Sequence, residues 1–445
     1  MVSALVLFLF SWLAVSADSA HVVLVTIDGF ANFHLKDKTL DLPAIRALAA
    51  AGVEADSAET VFPSVTHPSH TTLVTGVYPR RHGVLSNRLV NRLTGERFHV
   101  TNKPRTDMVA VQTLFDAVRR KGLGTSAFFW PETKDDPSID FNFPEVFAAD
   151  NVPDITAVAP RILDELRAAG IDVDDFFRYY HDAHLHGTSD YVLAQAAAHA
   201  IATHRPAFTA IHLLQTDVVQ HELGAEHYRS RAALSAADRS VGVLVDAVGK
   251  AGLASSTTFI VTADHGFATV DHQVNVAPHF AGAALRDKIA LHPGGWTLQV
   301  ELLPAFDAAR DQHALDEALA AAARAPGVAR VVRPHEFHAL GLPTYDESPF
   351  IRGQYMLIGD IDTYLVAERD STTTARVPIS PRHSHGYLPS HPKMFTSLVL
   401  SGKGIRRGAR IGHARSIDVA PTIAALLGVE LPDVDGSVLT QALEP

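Results

Sequence analysis

The sequence predicts an α/β fold: a three-layer α/β/α sandwich around a mainly parallel central sheet, with a small inserted α+β subdomain. Three observations carry this. Short unbroken apolar runs such as HVVLVTI (His21–Ile27) and TTFIVT (Thr257–Thr262) are rich in β-branched residues and show no polar alternation. That is the pattern of strands buried on both faces. Helical stretches separate these runs, and strand–helix alternation implies parallel pairing with helices on both faces. Finally, apolar runs end in aspartates, at Asp28-Gly29 and at Asp264-His265-Gly266. In open α/β sheets, ligands bind at that carboxyl edge.

Taken in order, the chain opens with Met1–Ala20, apolar from Ala4 to Val15. That run is short for a bilayer span, and Val15-Ser16-Ala17 and Asp18-Ser19-Ala20 resemble small-residue cleavage sites. A secretory signal peptide is expected, hence a secreted or periplasmic protein; an N-terminal membrane anchor is the alternative. No other run is long and apolar enough to span a membrane, so none is expected once the signal is cleaved. After the His21–Ile27 strand, Leu42–Ala51 is helical by composition and Gly52 stops it. Val109–Lys121 predicts an amphipathic helix and Thr125–Trp130 a strand. The stretch from Pro131 to Pro160 reads as loop. Helices are expected over Arg161–Ala169, Asp190–Thr203 and Ser230–Ala251, with strands over Ala207–Leu213 and Thr257–Thr262. From about 279 to 376 the segments shorten. Strands near Trp296–Glu301 and Val328–Val332 flank a helix at Ala314–Arg324, and this is the inserted subdomain. Residues 21–278 and 377–445 form the core, which resumes with a loop over Ser380–Lys393. The strand Phe395–Leu400 and the helix Asp418–Leu427 close it.

Composition narrows the function. The chain has 445 residues and is 47% hydrophobic, ample for one large core or two domains. With 38 basic against 49 acidic residues the net charge is −11, which argues against a nucleic-acid polymer as partner. Small phosphorylated substrates remain open, because a metal can meet their charge. There are no cysteines, which excludes disulfides and thiolate metal sites, whereas 25 histidines supply imidazole.

The stretch from Val61 to Asn87 is the centre of the chain's chemistry. Pro68 suits a first helical turn, a helix follows from Ser69 to about Val74, and Gly76 ends it. Thr66 then stands at a helix N-terminus, a natural place for an anionic group. Its hydroxyl can cap the helix or attack phosphorus. Asn87 and the backbone N–H of His67 can donate to phosphate oxygens, whereas Pro68 cannot. Further along, metal-type residues follow strands: Asp28, then Asp217 and His221 spaced i, i+4, then Asp264 and His265, with His385 in a later loop. Each has a plain role as a turn or cap residue. Together, three Asp and three His make two mixed O/N sites suited to a pair of Zn²⁺ ions. Two such ions clamp the attacking and leaving oxygens of an in-line phosphoryl displacement.

These motifs carry a resemblance. VTIDGF (Val25–Phe30), FPSVTHPSHTTLVTGVYPRRHGVLSN (Phe62–Asn87), FFWPE (Phe128–Glu132), TDVVQH (Thr216–His221), TADHGF (Thr262–Phe267) and SHGYLP (Ser384–Pro389) occur in the order of the nucleotide pyrophosphatase/phosphodiesterase family. That family lies within the alkaline phosphatase superfamily, so the resemblance implies an alkaline-phosphatase-like core. It implies Thr66 as the nucleophile that becomes covalently phosphorylated or nucleotidylated. It places Asp217, His221 and His385 on one zinc, which holds water for the second half-reaction. Asp28, Asp264 and His265 go on the other, which activates and contacts Thr66. Asn87 helps bind the transferred group.

The chain departs from the family where an aromatic often follows the nucleophile as part of a nucleobase slot; here it is His67. Ser69 replaces an Asn, and Leu214-Gln215-Thr216 replaces an acidic run. The metal set is untouched, so the departures bear on nucleotide preference. The expectation is a secreted di-zinc phosphodiesterase or nucleotide pyrophosphatase acting on a small phosphorylated substrate, as monomer or homodimer. Phosphomonoester or phosphonate hydrolysis at the same site, and an inactive binding protein on this fold, are the alternatives. A sulfatase is disfavoured, since residue 66 is Thr and the fourth position of that motif is His70.

Overall fold

The computed structural model describes residues 20–148, 154–176, 179, 187–369 and 371–445. The expected signal peptide, apart from Ala20, and a histidine cluster at His181, His184 and His186 lie outside the described residues.

Eight strands form the central sheet, in the order Ala409–Arg415, Val53–Glu59, Leu398–Gly402, Thr257–Thr262, His21–Ile27, Phe208–Leu213, Thr125–Phe128, Phe141–Phe143. Leu398–Gly402 runs antiparallel to both neighbours, and the other pairings are parallel. The register places Ile27 opposite Leu213 and Thr26 opposite Thr262, so the three central strands end level. Asp28, Asp217 and Asp264 leave that shared edge.

Strand residues alternate between faces. Val23, Val25 and Ile27 pack with Leu193, Ala197, Leu234 and Val241 of the helices Thr188–His204 and Tyr228–Lys250. Val22 and Leu24 face the other way, onto Leu73 and Val74 of the helix Thr66–Thr75, Phe115 of Leu114–Arg120 and Ile423 of Val419–Leu427. Each such fully buried side chain contributes roughly 1.5–3 kcal/mol. The largely polar helix that bears Thr66 is thereby held by its few apolar residues against the sheet.

A second sheet is antiparallel, in the order Ile289–Pro293, Thr297–Leu302, Tyr355–Gly359, Val328–Val332. The helix Ala308–Ala322 covers it, with Leu315 and Leu319 packed on Leu298, Val300 and Leu357. A third sheet links this unit to the core. Its central strand, Ala268–Asn275, leads away from His265, and its antiparallel partner, Arg376–Ser384, returns the chain to His385.

The structure differs from the sequence expectation at several places. The helix expected over Val109–Lys121 is Leu114–Arg120, because Thr113 and Asp116 form a reciprocal capping box that starts it there. Ser380–Ser384, expected as loop, is the end of a strand whose largely exposed polar residues leave no apolar signal. Val53–Glu59 and Ala409–Arg415, VEADSAE and ARIGHAR, are strands near or at the edge of the sheet with one wet face. Their partial alternation was too polar to read as strand. Phe141–Phe143 is a short edge strand inside the expected loop.

Candidate active site

The helix bearing Thr66 starts at that residue. Val65 is its N-cap and supplies no side-chain cap; Gly76 ends it in the left-handed region at φ 70°. The Thr66 hydroxyl therefore does not cap the helix, and it lines a cavity of about 590 Å³. His70, one turn on, secures the first turn. Its Nδ1–H donates to the Thr66 carbonyl at 2.9 Å and its Nε2 meets the Thr26 hydroxyl at 2.8 Å. Burial holds its pKa well below the imidazole range, so it is neutral.

The six residues expected as ligands fall into two groups at or just behind the cavity wall. Asp217, His221 and His385 form one, and Asp28, Asp264 and His265 the other, the candidate atoms of each lying within 4.8 Å of one another. A third group, His70, His212 and Asp264, adjoins them. His265 Nε2 is 3.2 Å from both Asp28 Oδ1 and Asp264 Oδ2. His221 Nε2 is 3.2 Å from His385 Nε2 and 3.4 Å from Asp217 Oδ2. The helix Gln215–Leu223 sets Asp217 and His221 on one face, as the i, i+4 spacing required.

The tautomers follow from the partners. His221 Nδ1 meets the His383 carbonyl at 2.7 Å, His265 Nδ1 the Gly266 carbonyl at 3.0 Å and His385 Nδ1 the Ser64 carbonyl at 3.0 Å. A carbonyl can only accept, so each ring donates from Nδ1 and leaves a lone pair at Nε2. The carboxylates are tied down likewise. Asp264 Oδ1 accepts from the N–H groups of Gly29 and His265, and Asp28 Oδ2 is 3.1 Å from His212 Nε2. Asp28 Oδ1, Asp217 Oδ1, Asp264 Oδ2 and His265 Nε2 are buried without a hydrogen-bond partner. Orphaned carboxylate oxygens and imidazole lone pairs pointing together are a fit for a cation.

Electrostatics agree. Burial, then the Asp217 and Asp264 charges, pushes Asp28 well above the carboxylate range. Burial, with Asp264 nearby, pushes Asp217 to about 6. Burial holds His265 at about 3 and His385 well below the imidazole range. Carboxylates crowded this way need a positive counter-charge, which the neutral His265 and His385 rings do not supply.

Asn87 lines the same cavity. Its side-chain carbonyl accepts from the His67 backbone N–H at 3.0 Å. The two donors expected from the sequence are thus linked to each other, which leaves the Asn87 amide NH₂ as the free donor.

Other residues of the site were not apparent in the sequence. His212, inside the buried strand Phe208–Leu213, has Asp28 on one side and Glu145 on the other, Nδ1 to Oε2 being 3.7 Å. Burial pulls its pKa down, but those two carboxylates hold it well above the imidazole range. Glu132 takes the His67 ring at 2.6 Å and the Thr71 hydroxyl at 3.0 Å. Burial opposes charge on His67, yet Glu132 raises it above the usual imidazole value. A histidine amid an apolar strand was the one available signal, and it pointed to His212.

This double set of Asp and His at the carboxyl edge, with a hydroxyl heading the adjoining helix, sits on an alkaline-phosphatase-like α/β fold. Human ectonucleotide pyrophosphatase/phosphodiesterase 5 superimposes with a TM-score of 0.70 at 17% identity, covering 96% of this chain and all of that one (100%). An inactive variant of the murine counterpart gives 0.67 at 18% identity, covering 96% and 100%. A family model for type I phosphodiesterase / nucleotide pyrophosphatase matches residues 22–388, and the chain belongs to that family. Among relatives, the Xenopus laevis bis(5'-adenosyl)-triphosphatase enpp4 is 23% identical over 421 residues, 93% of this chain and 79% of that protein. Ectonucleotide pyrophosphatase/phosphodiesterase family member 3 of Mus musculus is 23% identical over 251 residues, 56% of this chain. The chain spans only 25% of that relative's length. Among the described residues, no helix is long and apolar enough to cross a membrane.

Proposed function

We infer that the protein is a secreted, two-metal phosphodiesterase or nucleotide pyrophosphatase that works through a covalent threonine ester. The observation that carries this is the common orientation of His221, His265 and His385. Each ring is anchored through Nδ1 to a backbone carbonyl and holds Nε2 within 3.6 Å of an aspartate oxygen.

Asp28, Asp264 and His265 would hold one ion and Asp217, His221 and His385 the other; mixed O/N sets of this kind suit zinc. When bound, the pair lowers the pKa of the hydroxyl and of water and offsets charge on the phosphoryl oxygens. Thr66 Oγ attacks phosphorus, the bond to the leaving oxygen breaks, and the departing alcohol takes up a proton. Water then attacks the same phosphorus. The bond to Thr66 Oγ breaks, and the hydroxyl is restored as the monoester leaves. The Asn87 NH₂ donates to a non-bridging oxygen throughout. His70 keeps the first helical turn, and with it Thr66, in place.

The murine neighbour whose threonine-to-alanine variant is inactive, and is described in complex with AMP, supports both the nucleophile and a nucleotide substrate. The enpp4 relative's name, a bis(5'-adenosyl)-triphosphatase, supports a nucleotide substrate cleaved at a phosphoanhydride bond. Residues 279–376 are taken as an inserted subdomain that supplies Trp296 to the cavity wall.

Thr66→Ala is expected to cut turnover of bis-p-nitrophenyl phosphate by about 10³-fold or more while metal content, measured by mass spectrometry, stays near two per chain. Full activity in that variant would remove the assignment.

A further inference from the structure

A second chamber opens off the reaction cavity, and the two share Ser86, Arg88 and Trp296. It encloses about 230 Å³. Its floor is apolar, built from the buried Phe62, Leu89, Ile351 and Met356. Besides Arg88 at the shared wall, a second cation, Arg352, lines it from a built loop. The Gln299 side-chain carbonyl accepts from the backbone N–H groups of Arg352 at 2.8 Å and Gly353 at 3.0 Å. Gly353 lies so near Val300 that an added Cβ would sit 2.6 Å from its carbonyl oxygen. The Arg352 guanidinium has no hydrogen-bond or ion-pair partner among the described residues.

The doorway is Trp296. Its indole rests on Gly386, the residue after His385, and a Cβ there would come within 2.5 Å of the ring. Gly386 has φ +103°, so glycine is required on two counts. The second chamber therefore continues the cavity beside the Asp217–His221–His385 group. An in-line displacement sends the leaving oxygen away from the attacking hydroxyl, and the Asp217–His221–His385 group would hold the ion that offsets its charge.

Resting on the phosphodiesterase reading above, we propose that this chamber is the subsite for the leaving alcohol. The class it fits is a flat aromatic or heteroaromatic alcohol of bicyclic size, with a hydrogen-bond acceptor at its far end for Arg352. The apolar floor rewards a flat hydrophobic body. The guanidinium gives its far end a partner that water-exposed solvent would otherwise supply.

The test holds the retained group constant. Methyl p-nitrophenyl phosphate and methyl 4-methylumbelliferyl phosphate differ only in the leaving alcohol, and both are assayed with metal-restored full-length enzyme. Met356→Trp and Ile351→Phe fill the chamber, and Arg352→Ala removes its cation from a partly exposed position. Each filling variant is expected to lower kcat/KM on the umbelliferyl ester by about tenfold or more, relative to wild type, and on the p-nitrophenyl ester by less than about twofold. Arg352→Ala is expected to raise KM on the umbelliferyl ester by about fivefold with little change in kcat. Equal changes on both esters, or none, overturn the chamber assignment. Should a filling variant not fold, Arg352→Ala decides alone. If wild type hydrolyses neither ester, the phosphodiesterase reading itself falls.

Discussion

At the residue scale, the candidate site depends on side chains such as Asp28, Asp264, His221, His265 and His385, which have one atom tied down and another turned to a neighbouring Asp or His. Asp28 illustrates this: Oδ2 faces His212 and Oδ1 faces His265. His212 is a positioning residue, because it turns the Asp28 carboxylate and sets its charge against Glu145 behind it. His212→Gln is expected to weaken metal binding at the Asp28–Asp264–His265 group by about 10- to 100-fold. The Asp217–His221–His385 group should be nearly unaffected. Equilibrium dialysis with two resolved sites measures this, and equal weakening at both sites would assign His212 a merely structural role. That these Asp and His residues would come together was legible in the sequence, because an Asp or Asp-His placed just past a buried strand emerges at one shared edge. His212, Glu132 and Glu145 were not, since each acts through a partner far away in the chain.

At the element scale, short turns do the positioning. Gly266 follows His265, and an added Cβ would lie 1.9 Å from the Lys393 carbonyl oxygen. Two backbone segments meet there, so nothing flexible can yield. Gly266→Ala is expected to lower Tm by several degrees and to loosen His265, whose Nδ1–H donates to the Gly266 carbonyl; thermal unfolding and metal titration measure both. His82 pins the Thr66–Thr75 helix to the next turn. Its Nε2 meets the Thr72 hydroxyl and its Nδ1 accepts from the Val84 N–H, each at 3.1 Å. Burial lowers its pKa to about 3. The folded value is below the unfolded one, so the contribution is full above the ordinary imidazole value and is lost as pH falls toward the folded value. Between about pH 7 and pH 5 this one group should remove about 2 kcal/mol of stability. Urea unfolding at the two pH values, in wild type and His82→Gln, tests it; an unchanged pH slope in the variant would count against it. The helix start at Thr113 shows why element boundaries were harder to read than element types. A capping box outweighed four residues of favourable composition upstream.

At the scale of the whole molecule, the site exists because the central strands end level and the third sheet brings His385 back beside Asp217. Three carboxylates on one edge cost stability unless a cation meets them. Asp217 is raised to about 6, so in the folded chain without ions it keeps its proton to higher pH than an ordinary carboxylate does. The stability tied to that proton is present below the ordinary carboxylate value and is lost as pH rises through about 6. The gain in Tm on adding metal to chelated protein should therefore grow as pH rises from about 5 to about 8, because the bound ions supply the missing counter-charge. Thermal scans with and without chelator across that range measure it, and a gain that shrinks with pH would contradict the site's electrostatics.

By itself, the sequence determined the layered α/β architecture and the aspartates at the ends of its central strands. Unbroken β-branched runs must bury both faces, and the residues that follow them must emerge at one edge. Only the tertiary structure decided which atom of each ligand faces the cavity, that His67 and Asn87 spend a hydrogen bond on each other, and that Trp296 opens onto a second chamber. Those outcomes depend on contacts between segments far apart in the chain, and local pattern carries no record of what a side chain will meet across the fold.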